Sequence, residues 1–147
     1  MKVEGKEVLV GKAEGIAVVT EQPVNFLAAY SRNLALPWKT GRISDNRHEL
    51  YGEDLRTAIL VMPCCSGSTG GGVFLLEAIR KGIAPRGIVT AEVDTLLVSG
   101  AVLAEMWLEE RRLPPIVECP DILSCVSTGD WIKIERECIE ICSSTGD

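Results

Sequence analysis

Between residues 57 and 82 the chain reads Thr-Ala-Ile-Leu-Val-Met-Pro-Cys-Cys-Ser-Gly-Ser-Thr-Gly-Gly-Gly-Val-Phe-Leu-Leu-Glu-Ala-Ile-Arg-Lys-Gly, and this stretch constrains the fold more than any other. Ala58 to Met62 is an apolar run of strand length, Ser66 to Gly72 is a loop of small and hydroxyl-bearing residues, and Val73, Leu75, Leu76 and Ile79 then fall at helical spacing. A strand that enters a helix through such a loop turns unbonded backbone N–H groups outward at the helix N-terminus, where an anion is favoured. The consecutive glycines Gly70, Gly71 and Gly72 point to a close approach of something to the backbone.

The same pattern extends on both sides. After the strand at 57–63 and a helix over 72–81 that stops at Gly82, Gly87 to Ala91 reads as a short strand. Asp94 to Trp107 reads as a helix capped by Asp94, Pro115 to Val117 as another strand, and Asp121 to Val126 as a turn or two of helix. Trp131 to Glu135 and Cys138 to Cys142 alternate as a closing antiparallel hairpin. At the N-terminal end, Glu7 to Ala13 and Gly15 to Thr20 read as two strands joined at Ala13-Glu14-Gly15, and Val24 to Ala29 as a third. Residues 30–56 are rich in turn formers and read as an irregular excursion. The middle is therefore β-α-β-α-β with a parallel sheet, flanked by antiparallel strands, in an α/β chain with mixed pairing.

The 147 residues suffice for one domain, 1–147, with its own core. A net charge of −6 argues against nucleic acid or an anionic membrane surface as partner. No apolar run reaches membrane-spanning length, and the N-terminus lacks the apolar centre of a signal peptide, so a cytoplasmic location is expected. Six cysteines, at 64, 65, 119, 125, 138 and 142, include no Cys-x-x-Cys pair; free thiols and no metal site are expected. His48 is the single histidine, so chemistry that needs a pair of them is excluded within the chain.

Within the loop, Ser68 can cap the helix, bind an anion or accept a proton; the last needs the positive helix end to favour its ionised form. The loop lacks the Gly-Lys-Ser/Thr of a Walker A motif, the spacing of Gly-x-Gly-x-x-Gly, and the fifth residue of Gly-x-Ser-x-Gly. From the residues alone, a plain helix cap, a small-anion-binding module and a catalytic serine all stand.

Several segments, in order, resemble the small subunit or swivel domain of the aconitase X family. They are Gly11-Lys12-Ala13-Glu14-Gly15, Val24-Asn25-Phe26-Leu27, Thr40-Gly41-Arg42-Ile43, His48 to Gly52, Ile59-Leu60-Val61-Met62-Pro63, Gly67-Ser68-Thr69, Val73-Phe74-Leu75-Leu76-Glu77, Gly82-Ile83-Ala84-Pro85, Gly100-Ala101-Val102-Leu103-Ala104-Glu105 and Ser127-Thr128-Gly129-Asp130. The resemblance implies a three-layer β/β/α swivelling domain with mixed parallel and antiparallel strands. It implies a subunit of a heteromeric hydro-lyase, inactive without a large catalytic subunit that carries an iron–sulfur cluster, none being bound by this chain. By position Ser68 would be the base that removes a proton from carbon, with Ser66, Gly67, Thr69 and Gly70 around the substrate. The family's substrates are cis-3-hydroxy-L-proline, mainly in bacteria, and mevalonate 5-phosphate, in archaea; the Thr40 to Gly52 segment tilts the expectation to the hydroxyproline. Many members carry a basic residue where this chain has Ser66, which leaves Arg32, Arg42 or Arg47 to meet a substrate anion. His48 is expected to make a structural hydrogen bond to the loop, Cys64 and Cys65 to pack beside the site, and Trp38, Trp107 and Trp131 to plug the core or an interface.

Overall fold

The computed structural model describes residues 1–67, 70–108 and 113–145. Its strands are β1 (Lys2–Glu4), β2 (Lys6–Leu9), β3 (Lys12–Val19), β4 (Ala58–Met62), β5 (Gly87–Thr90), β6 (Ile116–Glu118), β7 (Trp131–Glu135) and β8 (Cys138–Cys142). Its helices are α1 (Phe26–Ala35), α2 (Gly71–Lys81), α3 (Thr95–Trp107) and the single turn α4 (Ile122–Cys125). One sheet runs in the order β1-β8-β7-β3-β4-β5-β6-β2. Strands β3 to β6 are mutually parallel, while β7, β8, β1 and β2 pair antiparallel at the flanks.

All five residues of β4 are buried, and their alternation feeds two cores. Ala58, Leu60 and Met62 join Ile88 and Ile116 beneath Phe26, Ala29 and Tyr30 of α1, Leu75 and Leu76 of α2, and Leu97 and Ala101 of α3. Ile59 and Val61 join Val89 and Val117 on the other face, against Ile132, Ile134, Ile139 and Ile141 of the hairpin and Ile122 of α4. A Cβ built on Gly87 of β5 would lie 3.1 Å from Ile134 Cδ1 on β7, three strands away in the sheet order, so the sheet curls until its antiparallel end covers the parallel part. The result is the three-layer β/β/α arrangement.

The curl is closed by chain continuity. β1 lies at one end of the sheet order and β2 at the other, yet Gly5 alone separates them. Two virtual bonds of about 3.8 Å bring Glu4 and Lys6 together, so the two sheet ends must meet there. Gly5 N donates to Glu137 O at 2.8 Å, and a Cβ at this point would strike Val117 and sit 2.6 Å from Glu118 O.

Two expectations from the sequence need correction. Residues 24–29 are not a strand: Asn25 Oδ1 accepts from Leu27 N at 3.1 Å and Ala28 N at 3.2 Å, which starts α1. Phe26, Ala29, Tyr30 and Asn33 form its buried stripe, a period of 3.6 read as alternation. The irregular excursion thus begins after Ala35, and Lys81 closes α1 by donating Nζ to Asn33 O and Leu36 O at 2.8 and 2.7 Å. Nor is Ala13-Glu14-Gly15 a turn; β3 runs straight through it, because Gly15 lets the backbone of Thr57 approach, its absent Cβ lying 2.7 Å from Thr57 O. The remaining strands and helices lie within a few residues of their expected positions, and Gly82 closes α2 in the left-handed conformation at φ +79°.

The glycine run splits into two functions. A Cβ on Gly72 would lie 2.6 Å from Leu96 O and 3.0 Å from Gly100 N, whereas a Cβ on Gly71 would meet nothing within 4 Å. Gly72→Ala is therefore expected to lose at least about 2 kcal/mol in denaturant titration, since backbone cannot yield as a side chain does. Gly71→Ala should be neutral or gain up to about 1 kcal/mol from helix propensity. Equal effects at the two positions would contradict this packing. A second expectation concerns acid. Asp130 accepts from Ser127 N at 2.9 Å and Ser144 N at 3.0 Å, and these backbone donors hold its carboxyl below the ordinary range. Its contribution is complete above the unfolded pKa of about 4 and fades as pH falls through the lower folded value. Asp130→Asn should flatten part of the stability loss below about pH 4 in urea titrations across pH; an unchanged slope would contradict the assignment.

Candidate active site

The parallel strands β3 to β6 end side by side at Val19, Met62, Thr90 and Glu118, and the segments that follow gather along that edge. Hydrogen bonds stitch them together. Thr20 N donates to Val61 O at 2.9 Å, Ala91 N to Met62 O at 3.0 Å, Glu92 N to Pro63 O at 2.9 Å and Cys119 N to Thr90 O at 2.8 Å. Val93 N donates to a Glu118 carboxylate oxygen at 2.8 Å. The carboxyl edge of parallel strands is where α/β sheets place their ligands, because the following helices start there and aim free N–H groups outward. Here α1, α2 and α3 all begin at that edge, capped respectively by Asn25, Gly70 and Asp94.

The 63–70 loop leaves β4 between these helix starts. Cys65 forms a parallel bridge with Val24; Val24 N donates to Cys64 O at 3.1 Å and Ser66 N to Val24 O at 2.9 Å. Ser66 and Gly67 are exposed and Gly70 is half-buried. Gly67 takes φ +101°, a region that favours glycine, and a Cβ there would lie 2.6 Å from Asn25 Nδ2. Gly70 caps α2 without a side chain, so the first N–H groups of the helix receive no such bond. Three of the five site residues expected from the sequence fall among the described residues. Ser66, Gly67 and Gly70 are brought together at the mouth of α2, while Ser68 and Thr69 lie outside the described residues.

Cys64 and Cys65 are half-buried beneath this mouth. Burial, then the carboxylates of Glu92 and Asp94, raises the Cys64 thiol; burial, then Asp94 and Cys64, pushes Cys65 up to about 12. With no charge partner among the described residues to favour the thiolate, both stay protonated at neutral pH. Among the described residues no group of three or more His, Cys, Asp or Glu side chains could hold a metal ion.

His48 is buried, and both ring nitrogens are engaged: Nδ1 accepts from Leu50 N at 3.0 Å, which leaves the proton on Nε2 to donate to Pro23 O at 3.1 Å. It holds the excursion against the 20–25 segment and is not free for proton transfer. Glu77 is turned to Arg80 in an i,i+3 pair at 2.6 Å on the surface of α2. Of the three arginines, Arg32 sits in the last turn of α1, away from its capped start, and Arg42 donates to Gly52 O at 3.2 Å. Arg47 is carried by the segment that His48 ties to Pro23. The three tryptophans are not core plugs: Trp38, Trp107 and Trp131 are 60%, 66% and 43% exposed.

Two features of this edge escaped the sequence reading. Asn25 is both the cap of α1 and a neighbour of Gly67; an Asn directly before a Phe-x-x-Ala-Tyr-x-x-Asn stripe was the available signal. Glu49 accepts from the Thr20 hydroxyl and, at 3.0 Å, from Glu21 N, donors that lower its pKa and fasten residues 44–53 to the end of β3. No local pattern marks that long-range pair.

The aconitase X swivel domain family matches residues 2–141. The phosphomevalonate dehydratase small subunit of Thermococcus sibiricus is 34% identical over 137 residues, covering 93% of this chain and 94% of that protein. The protein of the same name from Methanopyrus kandleri is 37% identical over 121 residues, covering 82% and 81%. A crystal structure of Thermococcus kodakaraensis aconitase X in its holo form superposes with a TM-score of 0.80 at 26% identity, covering 97% of this chain and 99% of that one. With the β/β/α layers, the carboxyl-edge loop and these relatives in agreement, the chain belongs to the aconitase X swivel domain family.

Proposed function

We propose that this chain is the small subunit of a heteromeric hydro-lyase acting on mevalonate 5-phosphate, and that it delivers Ser68 to an active site completed by a large subunit. The observation that carries the reading is a near full-length match to relatives named phosphomevalonate dehydratase small subunits, in a chain whose hydroxyl-rich loop opens at the start of α2. The hydroxyproline substrate expected from residues 40–52 has no counterpart in those names, so the phosphorylated hydroxy acid is preferred.

The chain's own part is a proton transfer. Ser68 takes the proton from the substrate carbon, the C–H electron pair becomes the new C=C bond, and the hydroxyl leaves from the neighbouring carbon to end as water. A neutral serine is a weak base. The positive end of α2, whose cap Gly70 two residues along offers no side-chain bond, favours its ionised form. The same helix end suits a substrate carboxylate or phosphate. No group of three or more His, Cys, Asp or Glu among the described residues is placed to hold a cluster, and the reading puts the family's cluster on the large subunit.

Co-expression with a cluster-bearing large subunit tests this reading. Dehydration of mevalonate 5-phosphate should require both chains, and Ser68→Ala should assemble normally but lose at least about 100-fold in kcat. Full turnover by the mutant complex would overturn the serine's role. A solitary chain that binds anions and pairs with no such subunit would point instead to a binding module.

A further inference from the structure

α3 carries apolar side chains on both of its faces. Leu97, Ala101 and Ala104 point into the helix-side core. On the opposite face Val98, Val102 and Met106 recur every four residues, a single row on a helix, and they are 38%, 46% and 62% exposed. Trp107, 66% exposed, ends the helix beside them. The 13 residues include one charged side chain, Glu105, which is exposed. Such a pattern belongs to a helix covered on both sides. The outer face of α2 shows the ordinary alternative, with Glu77 and Arg80 paired at the surface.

Position and size say what covers the row. It starts at the carboxyl edge of the parallel strands, where Asp94 caps α3 by accepting from Leu97 N at 2.9 Å. α2 crosses α3 there, a Cβ on Gly72 lying 2.6 Å from Leu96 O, and the next residue, Val73, is 49% exposed in the first turn of α2. The apolar surface thus begins at the edge where the proposed active site opens. The helix spans about 20 Å, and a strip of that length and about 10 Å wide is several times smaller than the about 800 Å² that each partner buries in a stable complex. Two copies of this chain joined by α3 alone would not hold together. The strip suits one wing of a wider contact, made by a chain that also closes over the carboxyl edge. Carboxylates stand at both ends of the row, Glu92 and Asp94 before it and Glu105 near its finish, and no Lys or Arg lies between residues 91 and 107.

We propose that the row Val98, Val102 and Met106 on α3 is a docking surface for the large subunit, which meets it with an apolar strip bordered by basic side chains. The proposal deepens the dehydratase reading by saying how the small subunit is held, and it rests on that reading for the partner's identity. Trp107 supplies the large aromatic side chain around which such contacts concentrate.

Val102→Glu combined with Met106→Lys tests the surface. Both positions are exposed, the net charge stays at −6, and a Glu four residues before a Lys supports the helix, so the lone chain should melt where the parent does. Docking would bury the new charges against an apolar strip. Titration with the cluster-bearing large subunit should show Kd raised at least about 30-fold, the loss at one dominant interface residue. At saturating large subunit kcat should stay within twofold of the parent, because both positions lie about two turns or more along α3 from the carboxyl edge.

Peroxide footprinting reads the same contact without turnover. Met62 is buried in β4, whereas Met106 stands in the row. Met106 should oxidise readily in the free chain and at least about 10-fold more slowly in the assembled complex, with Met62 protected in both. A parent chain that captures no large subunit would overturn the small-subunit reading and this surface with it. A parent complex that forms, with the double variant bound within threefold or Met106 oxidised as fast as in the free chain, would overturn the surface and leave the dehydratase reading in place. A free chain that sediments as a dimer, dissolved by the double variant, would assign the row to a second copy and so contradict the proposal.

Discussion

The contact of Gly72 with the backbone of Leu96 and Gly100 fixes where α2 starts, and the start of α2 decides where the candidate site opens. Because no side chain separates α2 from α3 at that crossing, the first turn of α2 cannot drift along its neighbour. β4 holds the other end of the loop, since all five of its residues are buried between two cores. Residues 63–67 thus leave one packed anchor and Gly70 enters the other, with Val24 and Asn25 as a third. Among the described residues of that loop, Ser66 and Gly67 are left exposed between the anchors.

Closure of the sheet serves the same end. With β1 and β2 joined through Gly5, the curled sheet has its two ends tied together, and the antiparallel strands are pressed onto the back of β4 and β5. Helices α1, α2 and α3 then occupy the opposite face, and their N-termini emerge at one edge. Negative charge is not absent from that edge: Glu92 and Asp94 stand close enough to raise the two thiols. The geometry is therefore one of directed backbone donors, suited to binding an anion at a chosen point rather than over a broad positive surface.

Much of this was legible in the residues. The parallel β-α-β-α-β centre, the capping by Asp94, the stop at Gly82 and the closing hairpin follow from local period and turn chemistry, and they are found where those rules put them. The start of α1 was misread because Val24 to Ala29 carries too few polar residues to separate alternation from helical spacing; the cap at Asn25 was the deciding signal. Gly15 looked like a turn because its reason lies 42 positions on, at Thr57 O. At the site, the loop itself was plain, but the glycine run was only partly a ligand signal, Gly72 being spent on helix packing. The roles of Glu49 and His48, and the packing of Asn25 against Gly67, depend on pairings of 25 or more positions that no local pattern encodes.

The central claim is that one hydroxyl, at the mouth of α2, meets a substrate which a second subunit holds from the other side. The most direct measurement is a crystal structure of the two-subunit complex with an unreactive substrate analogue bound. The account predicts Ser68 Oγ about 3–3.5 Å from the carbon that gives up its proton. A ligand seated away from the 66–70 loop, with Ser68 Oγ turned back to cap α2, would contradict it.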